Sequence, residues 1–163
     1  MSELDAETVA RQLLVVLDEA LLGASGPSTY FVANTPDSGF LGALAQVDAE
    51  TASRVIGGRS IAAHANHVAF AMEASVAWIA GDRAPRDWNE SWEVVGVDDE
   101  AWELLLARLG QQYRALRRGI ESTAGRDKEA LVEAVGSVAH IAYHLGSVWQ
   151  KLAVASAREP SAG

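Results

Sequence analysis

Two long stretches of this chain are almost free of charge, and together they hold all of its histidines. Ser60 to Gly81 contains one ionised residue, Glu73, and Ala134 to Gln150 contains no Asp, Glu, Lys or Arg. A helix without a charged face has to be covered on most sides, so each stretch predicts a helix in the protein interior. A buried imidazole needs a hydrogen-bond partner or a metal ion, because leaving it unpaired is costly. The fold must therefore accommodate four imidazoles among apolar neighbours, at His64, His67, His140 and His144.

Apolar residues at helical spacing predict four long helices. These run from Glu3 or Asp5 to Leu22, from Ser60 to about Gly81, from about Asp98 past Ile120, and from Asp127 to about Ala155. Shorter helical segments are expected at Phe40 to Val47 and at Asp48 to Ser53. No stretch alternates convincingly with period two. We therefore expect an all-α four-helix bundle that forms one domain over residues 1–158 and leaves 159–163 as a flexible tail.

Local signals predict where the helices end and which faces they bury. Ser2 followed by Asp5 could cap the start of the first helix, and Gly23 fits its end. Ser60 is a good N-cap for the second long helix. The long loop from Asp82 to Val97 holds two tryptophans, Trp88 and Trp92, which would either roof a pocket or plug the bundle end as core. The last helix has a predicted apolar stripe with the histidines on its flank, made of Leu131, Val135, Val138, Ala142, Leu145, Trp149 and Leu152.

Composition excludes several classes of function. The formal net charge of −9 opposes binding to nucleic acid or to an anionic membrane surface, because both would be repelled. Without cysteine there is no disulfide, zinc–thiolate site or thiol nucleophile, so any metal must be held by His, Asp, Glu or solvent. The acidic N-terminus lacks the order of a secretory signal, and the polar residues within Ala62 to Ala80 make membrane insertion expensive. We expect a cytoplasmic protein.

The histidine spacing indicates a metal site. His140 and His144 lie four residues apart, which stacks both rings on one side of a helix and lets their nitrogens converge on one ion. A third ligand would come from the other uncharged helix, where His67 has small neighbours and His64 lies about 60° away around the helix. From spacing alone, a metal site and a set of structural core histidines both remain open.

Two segments resemble the DinB/YfiT-like superfamily of metal-dependent enzymes. They are Ser60 to His67, reading SIAAHANH, and Ala139 to Gly146, reading AHIAYHLG. The resemblance implies a DinB-type four-helix bundle over nearly the whole chain. It also implies a divalent ion, commonly nickel or zinc, bound by a histidine of the second long helix and the His-x-x-x-His of the last. Those positions correspond here to His67, His140 and His144, with His64 as the alternative on the second helix.

The same resemblance bears on function. Relatives include transferases that use low-molecular-weight bacterial thiols, so it implies a thiol S-transferase acting on a small molecule. Three imidazoles would leave a metal position open for such a ligand. A metal-dependent hydrolase is the alternative, with Glu73 and Glu133 as candidate bases that fit a structural role better; no catalytic residue is assigned. A noncatalytic, dimeric metal-binding protein is a third possibility, and the uncharged helices predict a homodimer.

Overall fold

The described part of the chain, residues 5–123 and 128–158 of a computed structural model, is all-α and contains no β-strand. Two isolated bridges, Gly23 with Pro36 and Ile56 with Arg59, close turns between helices. The predicted tail at 159–163 and the predicted helix start at Asp127 lie outside the described residues. The helices are α1 (Ala6–Leu22), α2 (Phe40–Leu44), α3 (Ala49–Ser53), α4 (Ile61–Ile79), α5 (Asp99–Thr123) and α6 (Lys128–Arg158), with a 3₁₀ turn at Glu90–Trp92.

The predicted caps at Asp5, Gly23 and Ser60 are confirmed, and Ser2 lies outside the described residues. The Asp5 carboxylate accepts the backbone N–H of Thr8 at 2.7 Å, and α1 ends at Gly23, whose positive φ of 97° favours glycine. The Ser60 hydroxyl oxygen accepts the backbone N–H of Ala63 at 3.0 Å at the start of α4. The predicted long helices occur close to their expected bounds, although α6 extends three residues beyond Ala155.

The four long helices pack around one apolar core. Helix α4 has its most extensive contacts with α5 and α6, and α1 contacts both of those helices. Every residue from Ile61 to Ala69 is buried, as the lack of charge in this stretch predicted. None of the described helices is long and apolar enough to cross a membrane. Fully buried core side chains of the long helices include Leu17, Leu21, Val68, Met72, Leu109, Leu116, Ile141 and Val148.

The predicted apolar stripe of α6 is partly wrong. Val135 was placed within it but is half exposed, and Tyr143 is 71% exposed although it lies in the uncharged stretch. The buried face of α6 is rotated towards the histidines, because α4 covers that side of the helix. His144 is therefore buried rather than on the flank of the buried face.

The loop between α4 and α5 is tied down over the first half of α4. The Ser60 hydroxyl donates to the carbonyl of Val95 at 2.6 Å, and the Asn66 amide donates to the carbonyl of Ser91 at 2.8 Å. Ser91 itself is fully buried. The loop and the helix N-terminus are therefore positioned by the same side chains.

Replacing Ser60 by alanine tests this arrangement. The Ser60→Ala variant loses both the N-cap of α4 and the tie to Val95, so we expect its free energy of unfolding to fall by about 1 to 2 kcal/mol in urea titrations. Ser122→Ala is the control, since that exposed hydroxyl donates to the carbonyl of Gly119 within α5. An equal effect in both variants would contradict a special role for Ser60.

Candidate metal centre

All four histidines meet where α4 packs against α6. His64 and His67 come from α4, one turn apart, and His140 and His144 come from α6. His64, His67 and His144 are buried, and His140 is half-buried. Two helices with uncharged contact faces thus bring together every imidazole in the chain.

Three ring nitrogens converge on one point. The Nε2 atoms of His67 and His140 lie 3.0 Å apart, and those of His140 and His144 lie 2.8 Å apart. Each of the three residues offers one ring nitrogen within 4.8 Å of the others, so together they could hold a metal ion. Nitrogens bound tetrahedrally to one zinc ion lie about 3.3 Å apart, which is only slightly wider than the distances seen here.

A hydrogen bond to Ser91 keeps the ring proton of His67 on Nδ1, away from the point where the three ring nitrogens converge. The Ser91 hydroxyl donates to the carbonyl of Trp88 at 2.6 Å, so its oxygen is free to accept the Nδ1–H of His67 at 2.7 Å. This partner assigns the His67 tautomer and leaves a lone pair on Nε2, facing the other rings. A ring held in this way by an outer partner is typical of a metal ligand.

Hydrogen bonding alone cannot satisfy both contacts of His140. Its Nε2 carries either one proton or one lone pair, while the Nε2 atoms of His67 and His144 both lie within 3.0 Å of it. Because the His67 Nε2 has only a lone pair to offer, His140 can form a true hydrogen bond with one neighbour at most. A cation at the point of convergence would satisfy all three lone pairs at once.

His64 supports the cluster from behind. Its Nδ1 lies 2.9 Å from the Nδ1 of His144, on the opposite side of the His144 ring from the Nε2 that faces His140. His64 is not a member of the three-histidine group. The residue that spacing allowed as an alternative to His67 therefore contacts His144 instead.

Burial keeps these rings in their neutral form. It lowers the pKa of His64 and of His67 to about 4 and that of His144 to about 3, and it also lowers the pKa of His140. The positive charges of Lys151 and Arg59 lower the pKa of His64 further, and that of Arg59 also lowers the pKa of His67. At His67 and His144, a proton on one ring would also repel a proton on the next. Neutral imidazole is the form that binds a metal, so protons do not compete strongly near pH 7.

Trp92 covers the histidines, which answers the question left open for the long loop. Its ring stacks on that of His67 with centroids 3.9 Å apart and an interplanar angle of 15°, and it meets His64 edge-on at 5.6 Å. Trp88 lies further out, 6.0 Å from His67, and is half exposed. The roof over the cluster is therefore mainly Trp92.

Two carboxylates considered from the sequence are engaged elsewhere. Glu73 pairs with Arg108 at 2.9 Å, and Glu133 accepts a hydrogen bond from Ser75 at 2.6 Å. Neither belongs to the three-histidine group. Sequence reasoning did not identify Ser91, because its contact with His67 exists only once the loop folds back over α4.

No protein-family model, curated protein or solved structure matches this chain. The DinB/YfiT-like resemblance therefore stays a prediction. So do the single-domain boundaries, the homodimer and the cytoplasmic location. What can be argued about function comes from the site itself.

The buried histidines predict a stability that falls in mild acid. Their pKa values are near 6.5 in the unfolded chain and lower in the fold, so below pH 6.5 the unfolded state binds more protons. We expect the metal-free protein to keep its full stability above pH 6.5 and to lose several kcal/mol as the pH falls towards 4. Urea titrations between pH 7.5 and 5 would detect this before most carboxylates titrate.

The His144→Gln variant provides the control for that experiment. It removes the ring with the most strongly lowered pKa, so its stability should decline less steeply over the same range. A flat profile in the wild-type protein would show that the rings accept protons freely in the folded state.

Proposed function

We propose that this chain is a divalent-metal-dependent enzyme of the DinB/YfiT-like type, with His67, His140 and His144 as the metal ligands and a low-molecular-weight thiol as a substrate. One observation carries the proposal. Three neutral ring nitrogens converge, and no arrangement of their protons satisfies every contact among them. A site that is incomplete without a cation is the strongest indication of function in the described residues.

The donor set fits nickel or zinc. Neutral imidazoles suit late divalent metals, whereas magnesium and calcium favour oxygen ligands. Three protein ligands leave at least one position for a substrate, the arrangement of catalytic rather than structural zinc sites. When bound, the ion would supply Lewis acidity that lowers the pKa of a thiol or water entering the site.

The surrounding residues would hold the ligands in place and limit the access of water. Ser91 keeps the His67 proton on Nδ1, and His64 contacts the Nδ1 of His144. Trp92 covers one side of the cluster with an apolar face. These groups are positioning residues, because they act through the ligands rather than on the substrate.

A thiol substrate is favoured over hydrolysis because the described residues place no carboxylate base at the cavity beside His144. Glu73 and Glu133 are both held in other contacts, and no described residue lining the cavity beside His144 is acidic. A metal-dependent hydrolase usually gains from such a group, which takes a proton from the attacking water. In a thiol transfer, the thiol releases its proton to solvent, its sulfur bonds to an electrophilic carbon, and the leaving group departs with its bonding electron pair.

Metal content tests the ligand assignment. Protein purified without a histidine tag and incubated with nickel or zinc should hold about one ion per chain by elemental analysis. We expect His67→Ala, His140→Ala and His144→Ala each to abolish tight binding, because two remaining imidazoles cannot hold the ion alone. His64→Ala should retain the ion with weakened affinity.

The same series separates the alternatives. Undiminished metal content in all three ligand variants would contradict the assignment of His67, His140 and His144 as ligands. Loss of metal in His64→Ala alone would mean that His64, and not His67, is the ligand from α4. A bound ion that gives no spectral change with any thiol would favour the noncatalytic metal-binding protein.

Ser91→Ala tests the hydrogen bond behind His67. Loss of that outer partner should weaken metal binding by roughly tenfold to a hundredfold, measured by competition with a chelating dye. Ser122→Ala serves as the control because its hydroxyl bonds to Gly119 within α5. Unchanged affinity in Ser91→Ala would show that the hydroxyl does not orient the ring.

A further inference from the structure

A basic cavity adjoins the histidine cluster. It has a volume of about 650 Å³ and lies between α6 and the turn that precedes α4. His64 and His144 form part of its wall, so it adjoins one of the three proposed ligands, His144. Arg59 and Lys151 supply its positive charge, and no described lining residue is acidic.

Lys151 holds a charge in an unusual position. The residue is only 7% exposed, and its Nζ donates a hydrogen bond to the carbonyl of Ile56. Within residues 5–123 and 128–158 it forms no ion pair with a carboxylate. A buried ammonium is normally paired, since desolvating it alone is expensive. An anion in the cavity would give Lys151 the charged partner that the described residues do not supply.

Arg59 lies on the same cavity and also lacks a carboxylate partner in the described residues. Its guanidinium carbon is 4.7 Å from the centre of the Trp92 ring, which holds the charge beside the roof of the cluster by a cation–π contact. The chain has 22 acidic and 13 basic residues, and five other arginines pair with acids, namely Arg54, Arg83, Arg86, Arg108 and Arg117. The unpaired cations at this cavity therefore do not result from a shortage of carboxylates.

We infer that the cavity binds the anionic group of the thiol substrate, a carboxylate or a phosphate, between Arg59 and Lys151. The inference rests on the proposed function and extends it by naming the substrate class. The thiol is the reactant that must reach the ion, and the cavity shares His144 with the ligand set. A short molecule can therefore place its sulfur at the histidines and its anion at the two basic side chains.

Two thiols of similar length provide the direct test. Cobalt-loaded protein is titrated with 3-mercaptopropionate and with 2-mercaptoethanol, and binding is followed by the thiolate-to-metal charge-transfer absorption. We expect the anionic thiol to bind at least about tenfold more tightly, because it gains charge-assisted hydrogen bonds. Equal or weaker binding of 3-mercaptopropionate would overturn the inference.

Substitutions at the cavity test whether it is the source of a preference for 3-mercaptopropionate over 2-mercaptoethanol. Arg59→Gln and Lys151→Met should each remove most of the preference for 3-mercaptopropionate while binding 2-mercaptoethanol and metal as before. Arg54→Gln and Lys128→Met remove one charge each from positions that do not line the cavity, so the preference should remain. A similar loss in all four variants would indicate general charge attraction and would contradict a built site. If Lys151→Met fails to fold, Arg59→Gln decides the question.

A metal-free experiment separates this inference from the proposed function. Propionate and inorganic phosphate are titrated into the metal-free protein, and the indole N–H resonance of Trp92 is followed by NMR, with Trp92→Phe used for its assignment. We expect a saturable shift that disappears in Arg59→Gln, and the anion with the lower Kd identifies the group. The same shift in a protein that takes up neither nickel nor zinc when incubated with them would support the anion site and reject the metalloenzyme. Uptake of metal without any shift on adding the anions would support the metal site and overturn the anion site.

Discussion

The close packing of α4 against α6 is the constraint on which the rest of the structure depends. Neither helix presents an ionised residue along this contact over most of its length, so the two can bury their facing sides without pairing charges. Small buried residues of α4, such as Ala63 and Ala71, leave space beside the imidazoles. The contact thus places four titratable rings in the interior and requires them to stay neutral.

Burying the four imidazoles lowers the stability of the ligand-free fold, and the same rings are the groups that could bind a metal ion. Each lowered histidine pKa represents about 1.4 kcal/mol per unit of preference for the neutral form, which the fold must maintain against protonation. Lone pairs directed at one another add a further unfavourable contact. A ligand that binds the native state alone would relieve both effects and stabilise the fold. The cluster therefore makes the best physical sense as a site completed by a cation.

Charge in this protein has to be judged locally as well as globally. A net charge of −9 opposes contact with a polyanion, which offers many phosphates to the whole surface. It does not oppose binding of one small anion in a recess lined by Arg59 and Lys151.

The sequence by itself determined the all-α class, the approximate helix bounds and the histidines worth considering, because caps, helical periodicity and charge depletion are local properties of the chain. Spacing alone left His64 and His67 as alternatives, and it misplaced Val135 on the buried face of α6. The tertiary structure corrected the placement of Val135 and grouped His67, rather than His64, with His140 and His144, since the rotation of α6 against α4 sets which rings meet. It also decided the roles of Ser91, Trp92 and Lys151, which depend on a loop and a turn folding back over the helices. Contacts between residues distant in sequence depend on how the helices pack, and no local pattern records that packing.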